Sequence, residues 1–229
     1  MKAIFRDRID AGKKLAAQLK IEKGSWIHDW NNIVVLALPR GGVPVAYQVA
    51  KLLNVPLDIM VVRKVGLPGN PELAMGAVAS GGIEIVNQQV VDISGISHAE
   101  FTQVAQRELT ELERREHVFR QGKLPLELTK KHVILVDDGI ATGSTMRAAI
   151  QALKKLHALS ITVAIPTAAA DTLTMLSSEV DKIVCLYSPE YFYAVGSAYG
   201  DFSQTTDEEV AELLKRANAA HCPNIHANL

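Results

Sequence analysis

The sequence predicts an α/β fold: a doubly wound, mainly parallel sheet with helices on both faces. Short aliphatic runs rich in β-branched residues alternate with segments of helical length and spacing. The runs are apolar throughout rather than alternating, which suits strands covered on both sides. The 229-residue chain is 48% hydrophobic and 21% charged, so it can bury a core without disulfides or a structural metal. Residues 1–229 read as a single domain.

Composition also narrows the partners. Lys and Arg number 24 against 25 Asp and Glu, a net charge of −1. That balance lacks the basic excess usual for nucleic-acid or membrane-surface binding, so neither partner is expected. The aliphatic run 33–38 is far short of the ~20 residues that span a bilayer. The first ten residues, MKAIFRDRID, are charged and contain no apolar signal core. Of two cysteines, Cys185 sits in an apolar run and Cys222 in the tail, which offers no disulfide framework. A cytoplasmic location is expected.

Strands are expected at 33–38, 57–62, 132–137, 161–165 and 182–187, each too short for a core helix. Helices are expected at 43–53, 144–157 and 168–178. Two regions interrupt the alternation. Residues 98–121 read as one long helix with Phe101, Val104, Ala105, Leu109, Leu112 and Phe119 along one stripe. Ser97 and Glu100 form a capping box at its start. It is read as a helical insertion, 97–122, laid over the core, since the stripe is too short for a coiled coil. The second region, 187–202, holds half of the chain's aromatic residues. A cap over a planar ligand and a small satellite core both fit that composition.

The segment VILVDDGIATGSTMR (133–147) carries the chemistry. A buried strand ends in two acids, Asp137 and Asp138, and a loop of small and hydroxyl residues leads into a helix. Such a loop aims backbone amides and the positive end of a helix at one spot, a phosphate site. Thr142, Ser144 and Thr145 add hydroxyl donors, and Gly143 allows close approach. The acids would repel a bare phosphate but can accept hydrogen bonds from a cis-diol on an attached sugar. A Walker loop fits less well because no lysine stands in the loop, and a dinucleotide loop because GxGxxG spacing is missing; a phosphoacceptor aspartate at the strand end stays open but leaves the hydroxyl-rich loop unexplained.

This stretch closely resembles the phosphoribosyl-pyrophosphate (PRPP) signature of the type I phosphoribosyltransferases. The resemblance implies that Asp137 and Asp138 hold the ribose hydroxyls. Gly139, Ala141, Thr142, Gly143, Ser144 and Thr145 would wrap the 5′-phosphate. LPRGGV (38–43) resembles the family's pyrophosphate loop, with Arg40 supplying charge and Gly41 and Gly42 bare amides. By the same resemblance the peptide bond before Arg40 is expected to be cis. RKVGLP (63–68) is similar to the Arg-Lys pair and Gly/Pro-rich loop of adenine-type members, and the residues up to Gly76 are expected to form an irregular lid. The closing PEYFYAVGSAYGDFSQTTDEEV, with the helical insertion, is similar to an uncharacterised bacterial subgroup. Residues 187–205 and the N-terminal residues would then form a hood.

What the resemblance implies is displacement of pyrophosphate from C1 of PRPP by a base or related acceptor, through a transition state with oxocarbenium character. Arg40, Arg63, Lys64 and Mg²⁺ would offset charge on the leaving group. Mg²⁺ would be held mostly by substrate oxygens, with Asp137 or Asp138 contributing directly or through water. Ala141 stands where the 6-oxopurine enzymes carry an acid, which disfavours hypoxanthine, guanine and xanthine. Glu72 is the nearest substitute base, though a solvated loop acid is the plainer reading. VGSAY (195–199) is similar to a segment of the purine enzymes, with the acid that follows displaced by one position to Asp201. The tail HCPNIH (221–226) holds metal-ligand types but reads as a frayed terminus rather than a zinc site. A PRPP- or nucleotide-sensing regulator stays open as the alternative, as does a homo-oligomer. About thirty residues precede the first strand, too few for a DNA-binding domain of the kind some sensors carry.

Overall fold

The structure, a computed structural model, describes residues 3–22 and 32–221. Five parallel strands form the central sheet in the order β2-β1-β6-β7-β8. They are β1 (Ile33–Ala37), β2 (Leu57–Ile59), β6 (His132–Val136), β7 (Ser160–Thr167) and β8 (Lys182–Tyr187). Along β1 the side chains divide by parity. Ile33, Val35 and Ala37 enter one core with the helices α1 (Arg8–Ile21), α2 (Gly42–Leu53) and α7 (Asp207–His221). Val34, Leu36 and Leu38 enter another with α5 (Ser144–Lys155) and α6 (Ala170–Ser177). Both faces of the sheet are covered, as the continuous apolar runs require. No helix among the described residues is long and apolar enough to cross a membrane.

The structure corrects the expected lid. Residues 63–76 are not an irregular loop: β3 (Val62–Leu67) and β4 (Asn70–Ala79) form an antiparallel hairpin, and β5 (Ile83–Val86) completes a second, three-stranded sheet. The second expected strand, 57–62, is accordingly split, β2 ending at Ile59 and β3 starting at Val62. The hairpin's register shifts on either side of Gly66, where a Cβ would fall 2.6 Å from the carbonyl oxygen of Pro71. The distal turn, with Gly69 at φ 81°, is exposed.

After the short helix α3 (Gln88–Ser94), the long helix α4 (His98–Arg120) opens on the capping box expected from Ser97 and Glu100. Its stripe packs on β3, β4 and α7, with Phe101 against Gly76. Its last residue is anchored in the interior. Arg120, 8% exposed, donates from Nε to Asp58 Oδ1 (2.8 Å) and from Nη2 to the carbonyl of Ile59 (3.0 Å). Asp58 also accepts from the amide of Leu126 at 2.9 Å, and Glu116 pairs with Arg120 at 2.9 Å while accepting from Ser80. This buried network ties the helix to β2 at the edge of the parallel sheet.

Removing one partner of a buried ion pair strands the other. Arg120→Met is expected to lower unfolding stability by about 3–5 kcal/mol, against less than about 0.5 for Thr102→Ala on the same helix's exposed face. Urea denaturation of both variants measures this, and an Arg120→Met protein as stable as the parent would refute the anchoring role.

Candidate active site

Parallel pairing aligns Ala37 of β1 with Val136 of β6, so the loops leaving both strands emerge side by side. The amide of Leu38 donates to the carbonyl of Val136 at 2.9 Å. Two glycines then lie directly on the acids. A Cβ on Gly41 would fall 2.0 Å from Asp138 Oδ2, and one on Gly42 would fall 3.0 Å from Asp137 Cα. No side chain fits either position, so this contact needs glycine. The Pro39–Arg40 peptide bond is cis, as expected.

The loop after Asp138 is fastened on its inner side and open on its outer side. The amide of Ile140 donates to the carbonyl of Thr167 at 2.9 Å, and Thr172 Oγ1 donates to the carbonyl of Ala141 at 2.6 Å. Gly139 lies against Val195, on a short 3-10 helix (Val195–Ala198). Gly143, at φ 78°, turns the chain into α5. Thr142, Ser144 and Thr145 are exposed around that helix start, where first-turn amides have no intrahelical acceptors. The product is a shallow cradle of amides and hydroxyls beside the acid pair, suited to an anion.

The acids are crowded by protein and by each other. Burial, then the charge of Asp138, pushes the Asp137 carboxyl well above its ordinary range. Asp138 is raised too: burial outweighs the opposing effect of Arg8, whose Nε lies 2.8 Å from Asp138 Oδ2. Tyr199 Oη donates to the carbonyl of Asp138 at 2.5 Å. Burial, then the neighbouring Asp138, holds that phenol far above its usual value, so it stays a donor.

The structure thus brings together Asp137, Asp138, Gly41, Gly42 and the 139–145 loop. It does not bring the expected cations onto the acids: each is engaged with another carboxylate. Arg40 faces Asp207 of α7 at 3.5 Å, Arg63 pairs with Glu108 of α4 at 2.6 Å, and Lys64 pairs with Glu72 across the hairpin at 3.2 Å. Glu72 lies in β4 rather than in a loop, and its side chain is 93% exposed. Asp201 accepts from the amide of Ser203 at 2.9 Å. In the aromatic region Tyr199 packs with Phe5 in a satellite core, as one of its two readings expected, while Tyr191 and Tyr193 are exposed. The tail 222–226 lies outside the described residues. Arg8 and Tyr199 were missed as site residues because nothing local in the sequence links them to Asp138.

Residues 3–190 match the family model described as "Phosphoribosyl transferase domain". The chain belongs to this family. It is 43% identical over 215 residues to proteins named "Putative phosphoribosyl transferase" from two strains of Mycobacterium tuberculosis, covering 94% of this chain and 47% of theirs. The chain therefore spans about half the length of the curated relatives it matches. A crystal structure of TT1426 from Thermus thermophilus superposes with a TM-score of 0.81 at 37% identity, covering 93% of this chain and 98% of that one. The phosphoribosyl transferase domain accounts for the α/β fold in which the acid pair and glycine loop lie side by side.

A raised carboxyl makes the folded state bind more protons than the unfolded chain, so stability falls as pH rises from 3.8 through the raised value. Asp137→Asn is expected to remove that cost and raise Tm at pH 7. The gain should shrink as pH falls toward 3.8. Thermal melts across pH check this; a lower Tm for Asp137→Asn at pH 7 would contradict it.

Proposed function

We propose that the protein is a phosphoribosyltransferase of nucleotide salvage that moves the phosphoribosyl group of PRPP to a base or related small acceptor. The observation that carries this reading is the contact of two acids with two bare glycines beside an open, hydroxyl-lined helix start. In this reading Asp137 and Asp138 accept hydrogen bonds from the ribose hydroxyls. The backbone and hydroxyls of Gly139, Ala141, Thr142, Gly143, Ser144 and Thr145 surround the 5′-phosphate. Gly41 and Gly42 let pyrophosphate approach the backbone closely.

The acceptor's nitrogen forms a bond to C1 as the bond from C1 to the pyrophosphate oxygen breaks, the electron pair leaving with pyrophosphate and the acceptor's N–H proton passing to water or to the released pyrophosphate. No covalent nucleophile from the protein is needed. Arg40 stands beside the glycine loop, where its guanidinium can follow the leaving group. Arg63 and Lys64 lie on the hairpin that replaces the expected irregular lid; in this reading its exposed distal turn closes over the reacting bond and excludes water. Among the described residues no group of three or more His, Cys, Asp or Glu could hold a metal. The acid pair suits a Mg²⁺ ion shared with substrate oxygens, which is how this ion is commonly bound. Bound there, Mg²⁺ would supply positive charge toward the leaving pyrophosphate.

Asp137→Asn and Asp138→Asn are each expected to weaken PRPP binding by about 1.5–3 kcal/mol, the range for hydrogen bonds to charged groups, while both variants stay folded. Calorimetric titration measures the affinities, and unchanged values in both would sink the ribose assignment. Incubation with PRPP, Mg²⁺ and a panel of bases should release pyrophosphate with at least one acceptor. PRPP binding without turnover on any of them would favour the sensor.

A further inference from the structure

We propose that Arg8 is a positioning residue for ribose recognition, acting through Asp138. The inference rests on the reading of Asp138 as an acceptor for the sugar's hydroxyls. Arg8 is the first residue of α1, and its backbone is fixed there by Asp7, whose side chain caps the helix by accepting from the amide of Asp10 at 2.7 Å. The side chain reaches inward to the acid pair, and both partners are largely shielded, at 12% exposure for Arg8 and 13% for Asp138.

Three contacts fix the guanidinium. Nε donates to Asp138 Oδ2 at 2.8 Å, Nη1 donates to the carbonyl of Ser203 at 2.6 Å, and Cζ lies over the Phe202 ring, 4.0 Å from its centroid. A planar fork can meet all three at once; a lysine ammonium cannot. Phe202 in turn packs on Tyr199, ring centroids 5.0 Å apart, and Tyr199 holds the carbonyl of Asp138. One segment therefore grips both the side chain and the backbone of the same acid.

That segment is tied to the N-terminus along its length. The amides of Ile4 and Phe5 donate to the carbonyl of Ala198, and those of Gly200 and Asp201 donate to the carbonyls of Phe5 and Arg6. The Arg8 bond uses Oδ2, the oxygen already against Gly41. The carboxylate's rotation is thereby set, and with it the direction in which Asp138 can accept from a sugar. An ion pair serving only to hold α1 in place would not need to end on this carboxylate.

The test is a double-mutant cycle read by PRPP titration and steady-state kinetics on Arg8→Gln, Arg8→Lys, Asp138→Asn and the combined variants. Arg8→Gln is expected to weaken PRPP about tenfold or more, the low end for a hydrogen bond to a charged group. KM should rise accordingly while kcat stays within about threefold of the parent. Arg8→Lys should recover part of the loss. In the Asp138→Asn background either Arg8 change should cost less than about twofold, because residues acting as one unit are not additive. Equal losses in both backgrounds would mean a general structural role and overturn the proposal. Unchanged or tighter PRPP binding in Arg8→Gln would overturn it as well. If Arg8→Gln does not fold, Arg8→Lys with and without Asp138→Asn decides the same question. If Asp138→Asn leaves PRPP affinity intact the inference fails, and if Asp137→Asn does so too the ribose reading fails with it; loss in Asp138→Asn without loss in Arg8→Gln fails the inference only.

Discussion

Two carboxylates on consecutive residues, held in a crowded recess at the end of one strand, set the terms for everything built around them. Close packing raises the free energy of their charge, and each needs its own compensation. Asp137 accepts the amide of Asp138 at 2.8 Å, and Asp138 takes the guanidinium of Arg8. The space beside them is filled by backbone rather than by side chains, since a Cβ on Gly41 or Gly42 would collide with them or with the strand end. The sheet order makes this possible. With β1 and β7 on either side of β6, the 38–42 loop, the acids and the 167–169 segment all meet at the C-terminal ends of the central strands. In the proposed reading, this crowding of charge is accepted for binding rather than for stability.

The cations of the proposed reaction are held in two ways. Arg8 is shielded and firmly bound, with three fixed contacts. Arg40 and Asp207 are 42% and 48% exposed and sit 3.5 Å apart, a surface pair of the kind worth about 0–1 kcal/mol. Lys64 and Glu72 form a second exposed pair. In the proposed reaction this difference is useful: an incoming polyanion can take over the loosely held cations at little cost, while the fixed one keeps the sugar-binding acid in place.

How much of this was legible in the sequence depended on the range of the interactions. The parallel strands and α2, α4, α5 and α6 follow from local periodicity. The capping box at Ser97 and the glycine turn at Gly143 follow from local chemistry. The acid pair and glycine loops were legible because each lies within one short stretch. The hairpin at 62–79 was not, because Gly66, Pro71 and Gly76 break its alternation and Pro71 argues against a strand; the Pro68-Gly69 turn was the available signal. The helix α1 was also unread, although Asp7 followed by Ala11, Leu15 and Leu19 offers a cap and an apolar stripe. The network of Arg120 with Asp58 and the contact of Arg8 with Asp138 join residues 62 and 130 positions apart. No local pattern encodes pairings of that kind; tertiary packing alone creates them.

The account centres on one claim, that the acid pair receives a ribose and the neighbouring helix start its 5′-phosphate. A crystal structure with PRPP or a nucleoside monophosphate bound tests it most directly. The account predicts the 5′-phosphate against the backbone amides of residues 142–145, with the sugar's vicinal hydroxyls on the carboxylates of Asp137 and Asp138. A sugar phosphate bound elsewhere, or bound with its phosphate away from that loop and its hydroxyls away from both acids, would contradict it.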